Sequence, residues 1–333
     1  LNIIKKILYL LTPKERKLVI YLILSTMFMA LLDMIGVASI LPFIAVVTNP
    51  ELIETNLILN KIYNIYQVFG IQNNNEFLFA LGITAFVILI FSLIIKALVA
   101  YQQIYFVRMR EYSIAKRLIE KYLHQPYSWF LNRHSSEIGK SILSEVGIII
   151  GNGLNPLIEL LSKGMTMIAI LILLILVDPV IALVVFLVIG VIYWIIYYFT
   201  IDLQRYFGRE AKRTNVLRFN SVMEVFGGIK EVKVSGLEKV FLKRYAEPAK
   251  NFVHFFASSQ VISQLPRFGL EAVAFGGLLL TILYLMTQTG SISSSLPLIA
   301  LYAFAGYRLM PAAQQIFSSI SQLRFVGPAL ESF

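Results

Sequence analysis

Three features of the sequence predict an all-α membrane protein: six transmembrane helices that extend into the cytosol, preceded by an interfacial helix. First, 58% of the 333 residues are apolar and 14% are charged, against about 45–50% and about 25% in soluble domains. Second, the apolar residues gather in six runs that meet or approach the roughly 20 residues needed to cross the hydrocarbon core. Third, Lys and Arg concentrate in alternate connections between those runs. With a mean hydropathy of +0.75, a water-soluble enzyme is not expected.

Residues 1–16 predict the interfacial helix. In LNIIKKILYLL the apolar side chains fall at 3, 4, 7, 8 and 11 with Lys5 and Lys6 opposite, a pattern suited to lying in the plane of the membrane surface. Thr12-Pro13-Lys14-Glu15 then reads as a helix start, with Thr12 as the cap, Pro13 in the first turn and Glu15 at the third position. The transmembrane domain takes up 17–333, and its apolar runs are 18–47, 77–107, 154–177, 180–200, 268–286 and 296–316. The third and fourth runs are parted only by Asp178-Pro179. Together they are too long for tilt to accommodate as one span, so this dipeptide predicts a tight external turn.

Orientation follows from the basic residues, which favour the cytoplasmic side. Residues 1–20 carry five (Lys5, Lys6, Lys14, Arg16, Lys17), 101–153 carry seven and 201–250 carry eleven. On the other side, 48–76 carry only Lys61, and none falls near 178 or in 287–295. Both termini are therefore expected to be cytoplasmic. Most of the net charge of +10 is then a topology signal, and no nucleic-acid partner is needed to explain it. The aromatic cluster Tyr193-Trp194 with Tyr197-Tyr198-Phe199 reads as an interfacial belt at the basic end of the fourth run.

The polar segments 101–153 and 201–260 hold few helix breakers, so the membrane helices are expected to continue well past the bilayer. Each has one interruption near its middle. In the first it is Gln125-Pro126 followed by YSWFLNRHSSEIGKS, and in the second it is MEVFGGIKEVKVSGLEK with Gly227-Gly228.

These segments carry a resemblance. Six spans, cytoplasmic termini, an N-terminal elbow helix and two interrupted intracellular loops resemble the membrane half of a type IV (MsbA-like) ATP-binding-cassette exporter. The segment 127–133, with Trp129 and Phe130, resembles that family's first coupling helix. The segment 223–230, with Glu224, Gly228 and Lys230, resembles the second. Within the family, the run ALYAFAGYRLMPAAQQI containing Tyr307-Arg308-Leu309-Met310-Pro311 looks like the sixth span of bacterial lipid-linked oligosaccharide flippases of N-glycosylation. SQLPRFGLEA around Arg267 and SLIIKALVAYQQ around Lys96 are similar as well, with Lys96 standing where such flippases carry Arg. Residues 49–71 correspond to their short amphipathic external helix.

The resemblance implies a homodimer in the bacterial inner membrane that moves lipid-linked cargo across it. It also implies a nucleotide-binding domain after Phe333 on the same polypeptide, which would bind ATP and Mg2+ and sit against the coupling segments. The 333 residues themselves hold no nucleotide loop. Gly139-Lys140-Ser141 ends a GxxxxGK[ST] pattern only in part, because His134 stands where the first glycine must. No ATPase activity, and so no catalytic residue, is expected of this segment alone. Cysteine is absent, and His124, His134 and His254 are far apart, so neither a thiolate nor a histidine metal site is expected.

Ionisable residues at membrane depth are costly unless paired or wet, and so are candidates for function. They are Asp33, Lys96, Glu159, Lys163, Arg267, Glu271 and Arg308. Glu159 and Lys163 are four apart and suited to pairing along one helix, as are Arg267 and Glu271 in the weaker order. Lys96 and Arg308 have no acidic residue within four positions. One reading pairs either of them with Asp33. The other has Lys96, Arg267 and Arg308 lining a wet cavity and binding a polyanionic head group, a lipid pyrophosphate for example, because a guanidinium matches phosphate oxygens in a bidentate manner. Pro311 and Pro266 remove the amides that would bond the Tyr307 and Ile262 carbonyls, beside Arg308 and Arg267, and could act as hinges; Pro42 reads as a packing kink. Lipid A, a drug or a peptide is the alternative cargo. A scaffold or channel would explain six helices but not the two interrupted loops.

Overall fold

The computed structural model describes residues 6–7, 9–68, 70, 73–131, 138–139, 141–177, 179–289 and 296–330. Among these every regular element is helical. In chain order they are α1 (Pro13–Ala38), α2 (Ile40–Thr48), α3 (Leu52–Thr55), α4 (Leu57–Gln67), α5 (Asn74–Leu123), α6 (Tyr127–Leu131), α7 (Ser141–Val177), α8 (Pro179–Gly227), α9 (Ile229–Val234), α10 (Glu238–Thr289) and α11 (Leu296–Leu330). The six apolar runs fall in α1 with α2, α5, α7, α8, α10 and α11, as the all-α membrane fold requires. By length and apolarity, three stretches among the described residues qualify outright as spans: Pro13–Thr48, Asn74–Leu123 and Ser141–Val177.

Helix α5 has 50 residues, and at about 1.5 Å rise per residue it is roughly 75 Å long. The hydrocarbon core is about 30 Å thick, so more than half of α5 lies outside it. Helices α8 and α10, of 49 and 52 residues, extend in the same way at their basic ends. The expected continuation of the membrane helices is what the structure contains.

The N-terminal start of α1 forms as its sequence predicts. Glu15 N donates to Thr12 Oγ1 at 3.3 Å while Thr12 N donates to Glu15 Oε2 at 2.8 Å, a reciprocal cap that satisfies two otherwise orphaned amides. The elbow does more than lie on a membrane surface, however. Ile7 and Leu11 are buried in a cluster with Leu22, Phe106, Ile150 and Val326, because the bundle gives that apolar stripe a protein surface to cover. Residues 1–5 and 8 of the stripe lie outside the described residues.

Between α1 and α2 the helix bends at Ser39, whose hydroxyl donates to Gly36 O at 2.8 Å. Pro42 three residues later cannot donate to the Ala38 carbonyl and its ring crowds that carbonyl. Past α2, the segment 49–71 contains α4, capped by the Asn56 side chain, which accepts from Ile58 N at 2.9 Å and Leu59 N at 3.3 Å. Leu59, Ile62, Tyr63 and Tyr66 of α4 pack on Phe77 and Leu81 at the start of α5.

In the bundle α8 runs along α10, α7 packs against α1 and α11, and α11 also touches α8 and α10. A close crossing lies at Gly208 on α8, where a Cβ would lie 2.3 Å from the Phe325 carbonyl oxygen of α11. Only a residue without a side chain permits that approach. The turn expected at Asp178-Pro179 falls partly outside the described residues, since Asp178 is not among them; α7 ends at Val177 and α8 starts at Pro179. Through Pro266 and Pro311 the helices α10 and α11 continue without a break.

The aromatic cluster on α8 divides between two faces. Trp194, Tyr198 and Phe199 are exposed, as an interfacial belt requires. Tyr193 instead packs on Phe317, and the Tyr197 hydroxyl accepts from Arg324 at 3.0 Å. Helical period alone separates the two faces, since residues four apart share a side of the helix.

Candidate functional site

Asp33 sits near the middle of the first apolar run, and its side chain is fully buried. Ser92 and Lys96 stand four apart on α5 and so present one face to it. Ser92 Oγ donates to Asp33 Oδ1 at 3.0 Å and Lys96 Nζ to Oδ2 at 3.2 Å. From α11, Arg308 donates through one terminal guanidinium nitrogen to Oδ1 at 3.0 Å. One carboxylate thus holds two cations, and the question of which of them it pairs with resolves to both. The arrangement leaves one net positive charge. Its two cations differ in access: the Lys96 side chain is 33% exposed and that of Arg308 15%.

A second tier lies on α7. The pairing expected between Glu159 and Lys163 is not formed: Glu159 accepts from Asn155 Nδ2 at 3.1 Å and from Gln315 Nε2 of α11. The competing amides satisfy both oxygens, and among the described residues Lys163 makes no ion pair. Lys163 nevertheless lies within electrostatic reach of Lys96, Asp33, Glu159 and Arg308. Three cations and two carboxylates from four helices therefore share one region.

Arg267 stands apart from this group. Its Nε donates to Glu271 Oε1 at 2.7 Å along α10, and its side chain is 54% exposed. No hydrogen bond or ion pair among the described residues joins it to Lys96 or Arg308.

Between α7, α10 and α11, toward the end of α11 that follows Arg308, lies a cavity of about 240 Å3. Asn152, Ser259, Ser263, Gln264, Ser318 and Gln322 contribute to its lining. Beside it, Gln204 of α8 exchanges two bonds with Ser259: Nε2 donates to the carbonyl at 3.0 Å, and the Ser259 hydroxyl donates to Oε1 at 2.6 Å. Neither feature is a charge or a motif, and sequence reasoning passed over both.

The two interrupted loops form short helices at the basic end. Helix α6 starts after Pro126; Trp129 packs on Tyr122 and Phe130, at ring separations of 5.2 and 5.1 Å. Residues 132–137 and 140 of that segment, which include Arg133, His134 and Lys140, lie outside the described residues. Gly139, in the Gly-Lys-Ser sequence, is helical. Helix α9 begins at the cap residue Gly228 and ends where Leu237 N donates to Val232 O at 3.0 Å around Gly236, φ +63°. That six-to-one bond with a left-handed glycine is a helix stop. Glu224 pairs with Arg244 of α10 at 2.8 Å, and Lys233 with Glu238 at 3.0 Å. The Glu238 carboxyl is held below its ordinary range by its own backbone amide and by Lys233. Lys230 is exposed, as are Phe226, Ile229 and Val234, so this end presents apolar side chains without cover from the chain itself.

A family model of the ABC transporter transmembrane region matches residues 39–311, which is well over half of the chain. The match takes in Lys96, Arg267 and Arg308 and both short helices α6 and α9, while α1, with Asp33, and the part of α11 past Pro311 fall outside it. Membrane domains of this kind pair with nucleotide-binding domains and work as dimers. Apolar spans, long helical extensions and two short helices at their ends are what such a domain needs to join a membrane pathway to ATP hydrolysis outside the bilayer, and this chain belongs to the family of ABC transporter transmembrane regions.

Proposed function

We propose that this membrane domain belongs to a homodimeric, ATP-driven flippase that moves a lipid-linked oligosaccharide pyrophosphate across a bacterial inner membrane, with both termini cytoplasmic. The observation that carries the reading is the pair of cations, Lys96 and Arg308, drawn from two helices onto one site at membrane depth and partly accessible there. Isolated charges at that depth are unfavourable by about 2.5–3.5 kcal/mol or more. A cargo that brings several negative charges supplies the compensating interaction. Lys163 adds a third cation nearby that has no ion pair of its own among the described residues. Arg267, half exposed on α10, is the further cation along the route. In a twofold dimer each of these residues would occur twice about one pathway.

The short helices α6 and α9 are the coupling elements in this reading. Trp129 and Phe130 in the first, and Glu224, Gly228 and Lys230 in or beside the second, present the surface on which the protein's nucleotide-binding domain rests. Rotation of that domain, driven by ATP and Mg2+ bound within it, passes through α5, α8 and α10 as rigid levers. The exposed Phe226, Ile229 and Val234 support a docked partner there.

The test is ATP-dependent flipping of a fluorescent polyprenyl-pyrophosphate oligosaccharide in proteoliposomes by the full-length protein. Flipping that is lost in Arg308→Ala and Lys96→Ala while basal ATP hydrolysis persists supports the reading. Absence of flipping by the wild type discards this cargo and leaves another amphipathic cargo, such as lipid A, a drug or a peptide.

A further inference from the structure

A pair of partly exposed cations at membrane depth meets a selectivity problem, because membranes contain anionic phospholipids in abundance. Bare cations would be held by the commonest anion present and would not select the rarer cargo. In this chain they are not bare. The Asp33 carboxylate is fully buried, and both of its oxygens accept hydrogen bonds, Oδ1 from Ser92 and Arg308 and Oδ2 from Lys96.

We propose that Asp33 is a specificity-determining residue: a resident carboxylate that occupies Lys96 and Arg308 and sets the negative charge a head group needs to take them. The proposal rests on the reading that these two cations receive the cargo. Three features of the geometry give Asp33 this role. Ser92, itself buried at 1% exposure, donates to the carboxylate independently of the cations, so the carboxylate stays fixed when they leave it. Lys96 reaches it on a long flexible stem whose side chain is a third exposed. Arg308 commits one terminal nitrogen to it, and the rest of its fork has no other hydrogen bond among the described residues.

Charge then decides the exchange. The charged groups in electrostatic reach of Lys163 on α7 are Asp33 from α1, Lys96 from α5, Glu159 from α7 and Arg308 from α11, and the five carry one net positive charge. A monoanionic head group offers each cation no more charge than Asp33 already does. It must also shed its hydration and displace a carboxylate tethered at a high effective concentration. A pyrophosphate brings two or three charges, can engage both cations at once, and gains Lys163 besides. Asp33 therefore rejects monoanions more than it rejects pyrophosphate, and specificity arises from a built-in competitor.

The test measures equilibrium binding of polyprenyl pyrophosphate and of phosphatidylglycerol, a monoanionic phosphodiester, to the full-length protein in nanodiscs of otherwise zwitterionic lipid. The wild type is expected to prefer the pyrophosphate by about tenfold or more, and Asp33→Asn to reduce that preference to about threefold or less, mainly by a gain in phosphatidylglycerol affinity. Asp33→Glu, which keeps the charge, should retain the preference. An unchanged ratio in Asp33→Asn overturns the proposal, as does equal loss of both affinities, which marks Asp33 as purely structural. If Asp33→Asn is not recovered folded, Ser92→Ala frees the carboxylate from one anchor; it should shift the ratio in the same direction, and no shift overturns the proposal. Wild-type protein that binds neither lipid overturns the cargo reading itself. That outcome is distinct from retained binding with an unaltered ratio, which overturns the role of Asp33 alone.

Discussion

Glu15 is a hub of the kind that local sequence reveals only in part. Its exchange with Thr12 follows from a three-residue spacing and was legible as a cap. Its other partners come from α5: Ser113 donates to Oε1 at 2.8 Å, and Arg110 and Arg117 pair with the two oxygens. Those residues are nearly 100 positions away, and nothing in a spacing rule reaches them. Arg117 also donates to Leu10 O at 2.8 Å, which ties the elbow to the same knot. Glu15→Ala would leave the mostly covered Arg110 and the partly exposed Arg117 without their carboxylate, so it is expected to destabilise the domain by up to about 3–5 kcal/mol, read as a lower melting temperature in detergent. The same limit applies at Asp33 and Glu159. The candidates Lys96 and Arg308 could be named from the absence of a local partner, but that they share one carboxylate, and that Gln315 displaces Lys163 from Glu159, depends on three-dimensional packing.

Among the elements, hydropathy runs located the long helices well, because a span needs a continuous apolar length that few other structures need. Their internal irregularities were less visible. Helix α7 contains two π-helical stretches, Ser141–Glu145 and Ile150–Leu154, in a region where Gly147, Gly151 and Gly153 lower the cost of departing from regular α geometry. Glycines elsewhere have defined tasks. At Gly208, Val is expected to push α8 away from α11, since even a Cβ meets the Phe325 carbonyl; cross-linking yield between cysteines placed on these two helices should fall. At Gly236, a substitution by Val at φ +63° is expected to cost roughly 1–2 kcal/mol. Faster hydrogen exchange across the α9 to α10 turn would report it. The nearby Glu224–Arg244 pair is largely exposed, so Arg244→Ala should change stability by only about 0–1 kcal/mol, and a double-mutant cycle measures that.

For the whole molecule, the apolar exterior is as informative as the core. Only 17% of the most apolar window of α5 is buried within the chain, and Phe86, Ile94 and Leu98 are among its exposed side chains. Lipid or a second copy must cover that face. Charged residues are placed oppositely, mostly in the extensions at the basic ends, with a group around Asp33 and a separate Arg267–Glu271 pair in or beside the apolar runs. In the proposed mechanism the extensions act as levers outside the bilayer, and the charged region around Asp33 is what they alter. The most direct test is a structure of the full-length protein with bound lipid-linked oligosaccharide pyrophosphate. The account predicts phosphate oxygens within hydrogen-bond distance of Arg308 and Lys96, with Asp33 still held by Ser92 and no longer bonded to both cations. A head group bound elsewhere, with Asp33 still bridging Lys96 and Arg308, would contradict it.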